Sequence, residues 1–252
     1  MRYNSPSEIR KLLAERGIAL KKRFGQNFLI NQRARERLTE LLAIRPTDTV
    51  WEIGPGLGAV TAPVAERAFR VVAFEIDRGL VRILHELFTD RDNIEIVEGD
   101  AVETLSLRAE TGGRPDLLLG NLPYSSASRI IAALIETGIS FRKAVFTVQK
   151  ELAERMTARP RSKNYSSFSL LCQSAFRVTH EFDLSGGNFY PEPEVSSNVV
   201  ALEPDPKLSP AVRPRFNALI RIGFSSRRKT LRNNLLKSPL LSAAEKERAE
   251  QY

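Results

Sequence analysis

Thr49-Val50-Trp51-Glu52-Ile53-Gly54-Pro55-Gly56-Leu57-Gly58 is the stretch of sequence that decides the fold. An apolar run ends in three glycines with the spacing G-x-G-x-G, and residues 59–67 then read as a helix. A strand, a glycine-rich turn and a helix in this order predict a nucleotide-binding turn. Glycine lets the backbone approach a ligand closely because no Cβ is in the way.

The spacing of these glycines narrows the kind of ligand. It is not the G-x-G-x-x-G of dinucleotide-binding turns, and no lysine of the P-loop type follows it. A nucleoside ligand without phosphates, such as S-adenosylmethionine, therefore fits better than a pyrophosphate. A tight glycine turn with no ligand is the simpler alternative, since short motifs also occur by chance.

Acidic residues follow the next two apolar runs of the chain. Glu75 ends the run 71–74 and lies 21 positions after Gly54, where a carboxylate can accept hydrogen bonds from ribose hydroxyls. Asp100 follows the run 94–97 and could accept a hydrogen bond from the amine of an adenine. An acid at one strand end is often only a solvated charge, but suitable groups at three successive strand ends favour a cofactor pocket.

A fourth run, residues 116–120, ends at Asn121-Leu122-Pro123-Tyr124. Ligands of parallel sheets bind beyond the carboxyl ends of the strands, so this tetrapeptide is predicted to lie beside the glycine turn. The side-chain carbonyl of Asn121 and a main-chain carbonyl fixed by Pro123 offer two acceptors to an amine that carries two hydrogens. Tyr124 adds a ring on which a base can stack. The pattern predicts methyl transfer to the exocyclic amine of a base, with a packed Asn-Pro turn as the alternative.

A second aromatic segment, Phe189-Tyr190-Pro191-Glu192-Pro193-Glu194-Val195-Ser196-Ser197, is rigid because of its prolines. We expect Phe189 to lie against the target base on the side opposite Tyr124. A loop that simply packs two aromatic side chains is the alternative.

Charge is distributed unevenly along the 252 residues, whose net charge is +8. Residues 1–45 carry 11 Lys/Arg and 4 Asp/Glu, residues 46–206 carry 16 and 23, and residues 207–244 carry 9 and none. Basic segments without an apolar anchor indicate a polyanion, most often a nucleic acid. The predicted RNA contacts are Lys21, Lys22, Arg23, Arg161, Lys163, Arg227, Arg228, Lys229 and Arg232.

Composition sets the class of protein. One cysteine, Cys172, excludes an intramolecular disulfide, and with only two histidines a structural zinc site is not expected. No apolar run is long enough to span a membrane, and the N-terminus does not read as a signal peptide, so we expect a cytoplasmic monomer. Strands and helices alternate over residues 49–148, which predicts an α/β fold with a doubly wound parallel sheet. We expect a first domain over residues 1–204 and a small helical RNA-binding domain over residues 205–252.

The whole chain resembles the ribosomal RNA adenine N6,N6-dimethyltransferases of the small-subunit (16S) type. The segments that carry the resemblance occur in family order: KKRFGQNFL (21–29), EIGPGLG (52–58), FEID (74–77), GDA (99–101), NLPY (121–124), FTVQKELAERM (146–156), F-x-P-x-P-x-V-x-S (189–197) and SSRRKTLRNNL (225–235).

The resemblance implies a Rossmann-like methyltransferase domain, S-adenosylmethionine as cofactor, and two adjacent adenines near the 3′ end of the RNA as acceptors. It also implies an immature small ribosomal subunit as partner. By position, the cofactor contacts fall on Asn27, Leu29, Gly54, Glu75, Asp100 and Asn121, to which the glycine turn adds Gly56. The residues expected to hold the target base are Asn121, Leu122, Tyr124 and Phe189.

The chain departs from the family pattern at Ser125 and Asn31, where the family usually has Asn and Asp, and neither residue is expected to contact the methyl group. It also ends soon after residue 235, where members of the family continue, so the extent of the C-terminal domain is open. Three alternatives remain at this stage. They are an adenine methyltransferase for the large-subunit RNA, a non-catalytic RNA-binding assembly or transcription factor on the same fold, and a nicotinamide oxidoreductase, which the glycine spacing disfavours.

Overall fold

A seven-stranded sheet lies at the centre of the computed structural model, which describes residues 3–20, 25–111, 113–209, 211–226, 228–239 and 241–250. Its strand order is β4-β3-β2-β5-β6-β9-β7, and a separate two-stranded sheet pairs β1 with β8. The strands are β1 Phe28–Leu29, β2 Thr49–Ile53, β3 Arg70–Glu75, β4 Ile94–Glu98, β5 Leu117–Asn121, β6 Lys143–Gln149, β7 Phe176–Leu184, β8 Phe189–Tyr190 and β9 Ser197–Pro204.

Helices connect the strands and follow the sheet. They are α1 Pro6–Glu15, α2 Gln32–Leu41, α3 Thr61–Ala65, α4 Arg78–Leu87, α5 Ala101–Glu110, α6 Ala127–Thr137, α7 Lys150–Met156, α8 Ser167–Ala175, α9 Arg213–Gly223, α10 Leu231–Leu236 and α11 Ala243–Glu250. The sequence predicts a helix cap at residues 5–8, and the Ser5 hydroxyl accepts a hydrogen bond from the Glu8 N–H at the start of α1. It predicts a second helix over residues 31–43, whereas α2 is shorter and Asn31 caps it by accepting a hydrogen bond from the Ala34 N–H.

Apolar side chains cover both faces of the sheet, because successive residues of a strand point to opposite sides. Trp51 and Ile53 of β2 pack with α5, α6 and α8 in one cluster. Val50, the residue before Trp51, packs with α2 and α3 in the other. Full burial of an aliphatic or aromatic side chain contributes about 1.5–3 kcal/mol, so the two layers together fix the strand positions.

Strand direction determines where the site lies. Strands β2 to β6 are parallel to one another, whereas β9 runs antiparallel to both β6 and β7. The carboxyl ends of β2, β3, β4 and β5 therefore meet at one edge of the sheet. The predicted doubly wound α/β fold is confirmed.

Several predicted boundaries differ from the structure. The helix expected over residues 59–67 forms only at Thr61–Ala65, because the turns of the glycine segment extend through residue 60. The sequence predicts a last strand over residues 195–202, whereas β9 spans Ser197–Pro204. Helix α8, the edge strand β7 and helix α11 had no counterpart in the sequence analysis. In β7 the buried positions do not alternate regularly, so the strand lacks the usual two-residue signal.

The C-terminal helices pack against the sheet domain. The Arg213 guanidinium donates a hydrogen bond to the Ile135 carbonyl at 3.0 Å, and the Phe224 ring meets Tyr165 edge to face with 6.0 Å between centroids. Strand β9 ends at Pro204, but the division into two domains at residues 204 and 205 stays a prediction. Within the described ranges, no helix has the length and apolar character needed to cross a membrane.

Candidate active site

A cavity of about 330 Å³ opens at the carboxyl edge of the sheet. Its size suits a small organic ligand, since such pockets usually measure about 300–1,000 Å³. All seven residues predicted to bind the cofactor line it: Asn27, Leu29, Gly54, Gly56, Glu75, Asp100 and Asn121. The structure therefore brings together groups from five separate segments of the chain.

The glycine turn forms one wall of this cavity. Gly54 and Gly56 have φ values of +71° and +61°, which side chains with a Cβ rarely adopt. A Cβ at Gly56 would also lie 3.0 Å from the Phe28 ring. Glycine at position 56 therefore satisfies both the backbone conformation and the close contact with β1.

Glu75 connects this turn to the end of β3. One carboxylate oxygen accepts a hydrogen bond from the Gly56 N–H at 3.2 Å, and the other accepts one from the Asp77 N–H at 2.9 Å. Burial raises the pKa of Glu75 to about 7, against the lowering effect of these two N–H groups. Each oxygen has a second lone pair, so the side chain can still accept hydrogen bonds from a ligand.

Asp100 lies at the adjacent strand end and begins α5. Its Oδ1 accepts a hydrogen bond from the Val102 N–H at 2.9 Å, as in an N-cap. Oδ2 makes no hydrogen bond with any residue that the structure describes. Asp100 is half-buried and lines the cavity, so this oxygen can accept a hydrogen bond from the amine of a ligand.

The Asn121 amide has a fixed orientation. Its Nδ2 donates a hydrogen bond to the main-chain carbonyl of Asn27 at 2.7 Å. Because only the NH₂ end of an amide can donate to a carbonyl, Oδ1 is left as an acceptor. The loop that contains Asn27 is itself held by Gln26, whose side chain donates to Asp77 Oδ2 at 3.1 Å.

Leu122 and Tyr124 continue from Asn121. The Leu122 side chain is buried in the core, and its N–H donates to the Thr147 carbonyl at 3.0 Å. Its carbonyl accepts no hydrogen bond within the described part of the chain. Tyr124 is half-buried, and its hydroxyl lies 2.6 Å from the Ser197 Oγ. Asn121 lines the cavity, whereas Leu122 and Tyr124 are not among its described lining residues, so their contacts with a target base stay a prediction.

Phe189, which is predicted to lie against the target base opposite Tyr124, is buried in this structure. It pairs with Leu29 between β8 and β1, and its side chain is only 3 % exposed. The ring packs in the core cluster that contains Val199, so in this conformation it offers no face to a base. The short β1–β8 pairing that accompanies this burial has no sequence signal. A role in base stacking stays a prediction.

Glu52 is a residue of the cavity that the sequence analysis missed. Its side chain is 3 % exposed, and Oε2 has no hydrogen-bond partner among the described residues. Burial, and then the charge of Glu75, raises the pKa of Glu52 to about 7, against the effect of the nearby Thr61 hydroxyl. Tyr3, which also lines the cavity, has its pKa raised to about 12 by burial and by Glu52. The available signal was an acid inside an otherwise apolar strand, since such groups are buried only with a partner or a purpose.

The carboxylates give the cavity an acidic character. Glu52, Glu75 and Asp100 line it, and Arg129 is the only lysine or arginine in its described lining. Acidic side chains, among them the Glu52 and Asp100 oxygens that have no partner in the described part of the chain, favour a ligand that carries positive charge.

Basic residues lie on the surface near the C-terminal helices. The predicted RNA contacts Arg161, Lys163, Arg228, Lys229 and Arg232 are all exposed. The Tyr165–Phe224 contact places the loop of Arg161 and Lys163 beside the segment before α10. The pKa of Lys229 is lowered by the hydrogen bond and the charge of the neighbouring Lys237, as expected where like charges are crowded. Lys21, Lys22, Arg23 and Arg227 lie outside the described residues.

A family model described as ribosomal RNA adenine dimethylase matches residues 17–249. The chain belongs to this family. The Ribosomal RNA small subunit methyltransferase A of Borreliella afzelii is 43 % identical over 234 residues, which are 93 % of this chain and 82 % of that protein. The family resemblance that the sequence motifs predicted is confirmed, and so is the prediction of an enzyme of the methyltransferase class.

Solved structures of methyltransferases share the fold of this family member. A dimethyladenosine transferase from Plasmodium falciparum has a TM-score of 0.72 at 30 % identity, over 82 % of this chain and 74 % of that one. The 23S rRNA methyltransferase ErmE has a TM-score of 0.66 at 26 % identity, over 89 % of this chain and 88 % of that one. The Rossmann-like methyltransferase fold is therefore confirmed, and the nicotinamide oxidoreductase is excluded.

Proposed function

We propose that the chain transfers methyl groups from S-adenosylmethionine to the N6 amines of two adjacent adenines near the 3′ end of small-subunit (16S) ribosomal RNA. The observation that carries the proposal is the hydrogen bond from the Asn121 Nδ2 to the Asn27 carbonyl, because it leaves the Asn121 Oδ1 as an acceptor for the target amine. The name of the Borreliella relative supports the small subunit as substrate.

The cavity fits S-adenosylmethionine on its own chemistry. Glu75 would accept hydrogen bonds from the ribose hydroxyls, and Asp100 Oδ2 from the adenine amine. The glycine turn lets the protein backbone approach the ligand closely, because Gly54 and Gly56 carry no Cβ. The unpartnered, buried Oε2 of Glu52 supplies the remaining feature, an acceptor for the α-ammonium of the methionine part. We infer that the buried carboxyl groups of Glu52 and Glu75 favour the binding of a cationic ligand.

Asn121 and Leu122 position the target amine. The Asn121 Oδ1 and the Leu122 carbonyl each accept one N–H of the adenine amine, which turns the nitrogen lone pair toward the cofactor side of the cavity. The cofactor would supply an electrophilic methyl group on a sulfonium sulfur, and transfer of that methyl would break its S–C bond and leave the neutral thioether S-adenosylhomocysteine. Positive charge develops on the nitrogen as the N–C bond forms, and the two carbonyl dipoles stabilise it. The excess proton passes to water, so no ionisable base is required.

A second methylation uses the same groups. The monomethylated amine retains one N–H and needs only one of the two acceptors. The other acceptor then faces the new methyl group, which has to turn away from it. The site is therefore compatible with dimethylation, and we expect the second step to be slower than the first.

The exposed basic residues of the 159–165 loop and of the segment before α10 would bind phosphates of the RNA. They form one surface because Tyr165 and Phe224 hold the two segments together. The chain would act as a monomer in the cytoplasm on an immature small subunit. The likeness to ErmE makes large-subunit RNA the alternative substrate that a test has to separate.

The test is methyl transfer from labelled cofactor to four substrates: immature small subunits, naked 16S RNA, large subunits and naked 23S RNA. We expect label only in small-subunit RNA, at two adjacent adenines near the 3′ end, located by nuclease digestion and mass spectrometry. Asn121→Ala is the inactive control. Label in large-subunit RNA alone would establish the alternative substrate, and absence of any transfer would refute an adenine methyltransferase.

A further inference from the structure

The hydroxyl groups of Tyr124 and Ser197 are joined by a short hydrogen bond of 2.6 Å. The two residues lie 73 positions apart, so the bond connects the end of β5 to the start of β9. Ser197 is 0 % exposed and pairs with Gln149 of β6 and with Leu184 of β7. Its hydroxyl is thus fixed inside the sheet.

The Ser197 hydroxyl has no other partner in the part of the chain that the structure describes. Packing alone would be satisfied equally well by alanine, since a buried hydroxyl is costly unless it forms a hydrogen bond. Tyr124, by contrast, lies on a loop and is only half-buried. Its ring can rotate about two side-chain torsions, and the bond to Ser197 restrains both.

We propose that Ser197 is a positioning residue for the target-adenine pocket, which holds the Tyr124 ring in the plane on which the base stacks. The inference rests on the proposed function, because it assigns Tyr124 to the base. It gives the segment 189–197 a task that does not depend on the exposure of Phe189. Ser197 acts through Tyr124 and touches neither the base nor the cofactor.

A double-mutant cycle tests this role. The variants Ser197→Ala, Tyr124→Phe and the double variant are compared in single-turnover methylation of small-subunit RNA at saturating cofactor. One neutral hydrogen bond is worth about 0.5–1.5 kcal/mol, so each single variant should be slower by about 2- to 10-fold. The double variant should be no slower than the slower single one, because both changes remove the same bond. Cofactor affinity should stay the same in all three.

Ser196→Ala is the matched control, because Ser196 is the exposed neighbour of Ser197 and makes no side-chain hydrogen bond in the described structure. It should methylate at the parental rate. If Ser197→Ala folds poorly, Tyr124→Phe removes the bond without touching β9 and has to show the same defect at unchanged cofactor affinity.

Three results would overturn the proposal: a parental rate in Ser197→Ala or in Tyr124→Phe, additive losses in the double variant, or loss of cofactor affinity together with the rate. In each of these cases the parent still methylates small-subunit RNA, which separates this failure from a failure of the proposed function. If the proposed function were wrong, the parent itself would not methylate small-subunit RNA.

Discussion

Replacing Glu52 with glutamine should stabilise the protein in the absence of cofactor and lower its affinity for S-adenosylmethionine. The carboxyl group is buried, and its pKa rises from the ordinary value of 4.5 to about 7. A carboxyl with a raised pKa in the folded state contributes its stability at low pH. That contribution is lost as the pH rises from about 4.5 through about 7, because the folded protein resists ionisation that the unfolded chain accepts.

The magnitude follows from the shift. A difference of one pKa unit corresponds to 1.36 kcal/mol, so the shift from 4.5 to about 7 sets a ceiling of about 3 kcal/mol on the cost above pH 8. Glutamine has nearly the same shape and no charge. Glu52→Gln should therefore be more stable than the parent by about 1–3 kcal/mol at pH 8, and the gain should shrink by more than half at pH 5. For a chain of this length each kcal/mol shifts the melting temperature by about 2–4 °C.

The assay is thermal unfolding, followed by circular dichroism at pH 5 and pH 8 without cofactor. Glu194→Gln is the control, because Glu194 is exposed and should show no gain at either pH. Cofactor binding should move in the opposite direction, with weaker binding of S-adenosylmethionine by the variant. Methylthioadenosine, which lacks the ammonium, should bind parent and variant equally. A Glu52→Gln variant that is no more stable at pH 8 than the parent would show that the buried charge carries no cost, and the reasoning would be refuted.

Four further results are expected. Glu75→Ala should weaken cofactor binding by about 1.5–3 kcal/mol, the usual loss for hydrogen bonds to a charged group, and unchanged affinity by calorimetry would reject the ribose contact. Cofactor binding between pH 6 and 7 should release protons, because Glu52 has a pKa of about 7 and must ionise to hold the ammonium, so affinity rises with pH; calorimetry in buffers of different ionisation enthalpy measures this, and a release of zero would contradict it. Replacement of Arg228, Lys229 and Arg232 by alanine should flatten the dependence of log RNA affinity on log salt, whereas Arg177→Ala on the edge strand β7 should not, and equal slopes would remove this segment from the interface. Tyr124→Ala and Phe189→Ala should slow single-turnover methylation at nearly intact cofactor affinity, Asn121→Ala should lose both, and a parental rate in Phe189→Ala would leave that ring a packing residue only.

The cofactor side of the site was predictable because it depends on rules that act locally. Parallel strands end at one edge, so Gly54, Glu75, Asp100 and Asn121 had to meet there once their strands were recognised. The alternation of Val50 and Trp51 between the two core clusters follows from the same strand geometry.

The features that were missed depend on contacts between distant segments. No local pattern shows that β1 pairs with β8, and this pairing buries Phe189. The Tyr124–Ser197 hydrogen bond joins residues 73 positions apart. Glu52 Oε2 lacks a hydrogen bond because none of the described residues around it places a donor within reach. Each of these is a property of the assembled structure and not of a short motif.

The bond between Asn121 and Asn27 makes the two substrate sites share one backbone atom. The spent cofactor has to leave and a fresh one enter between the two methylations of an adenine. If the loop around Asn27 moves away to allow this exchange, Asn121 loses the hydrogen-bond partner that orients its amide. Binding of the monomethylated adenine would then weaken at the same time. Binding coupled in this way is reciprocal, so a bound adenine should also raise the affinity for the cofactor. The 2.7 Å hydrogen bond between Asn121 and Asn27 is therefore expected to couple cofactor exchange to retention of the monomethylated adenine.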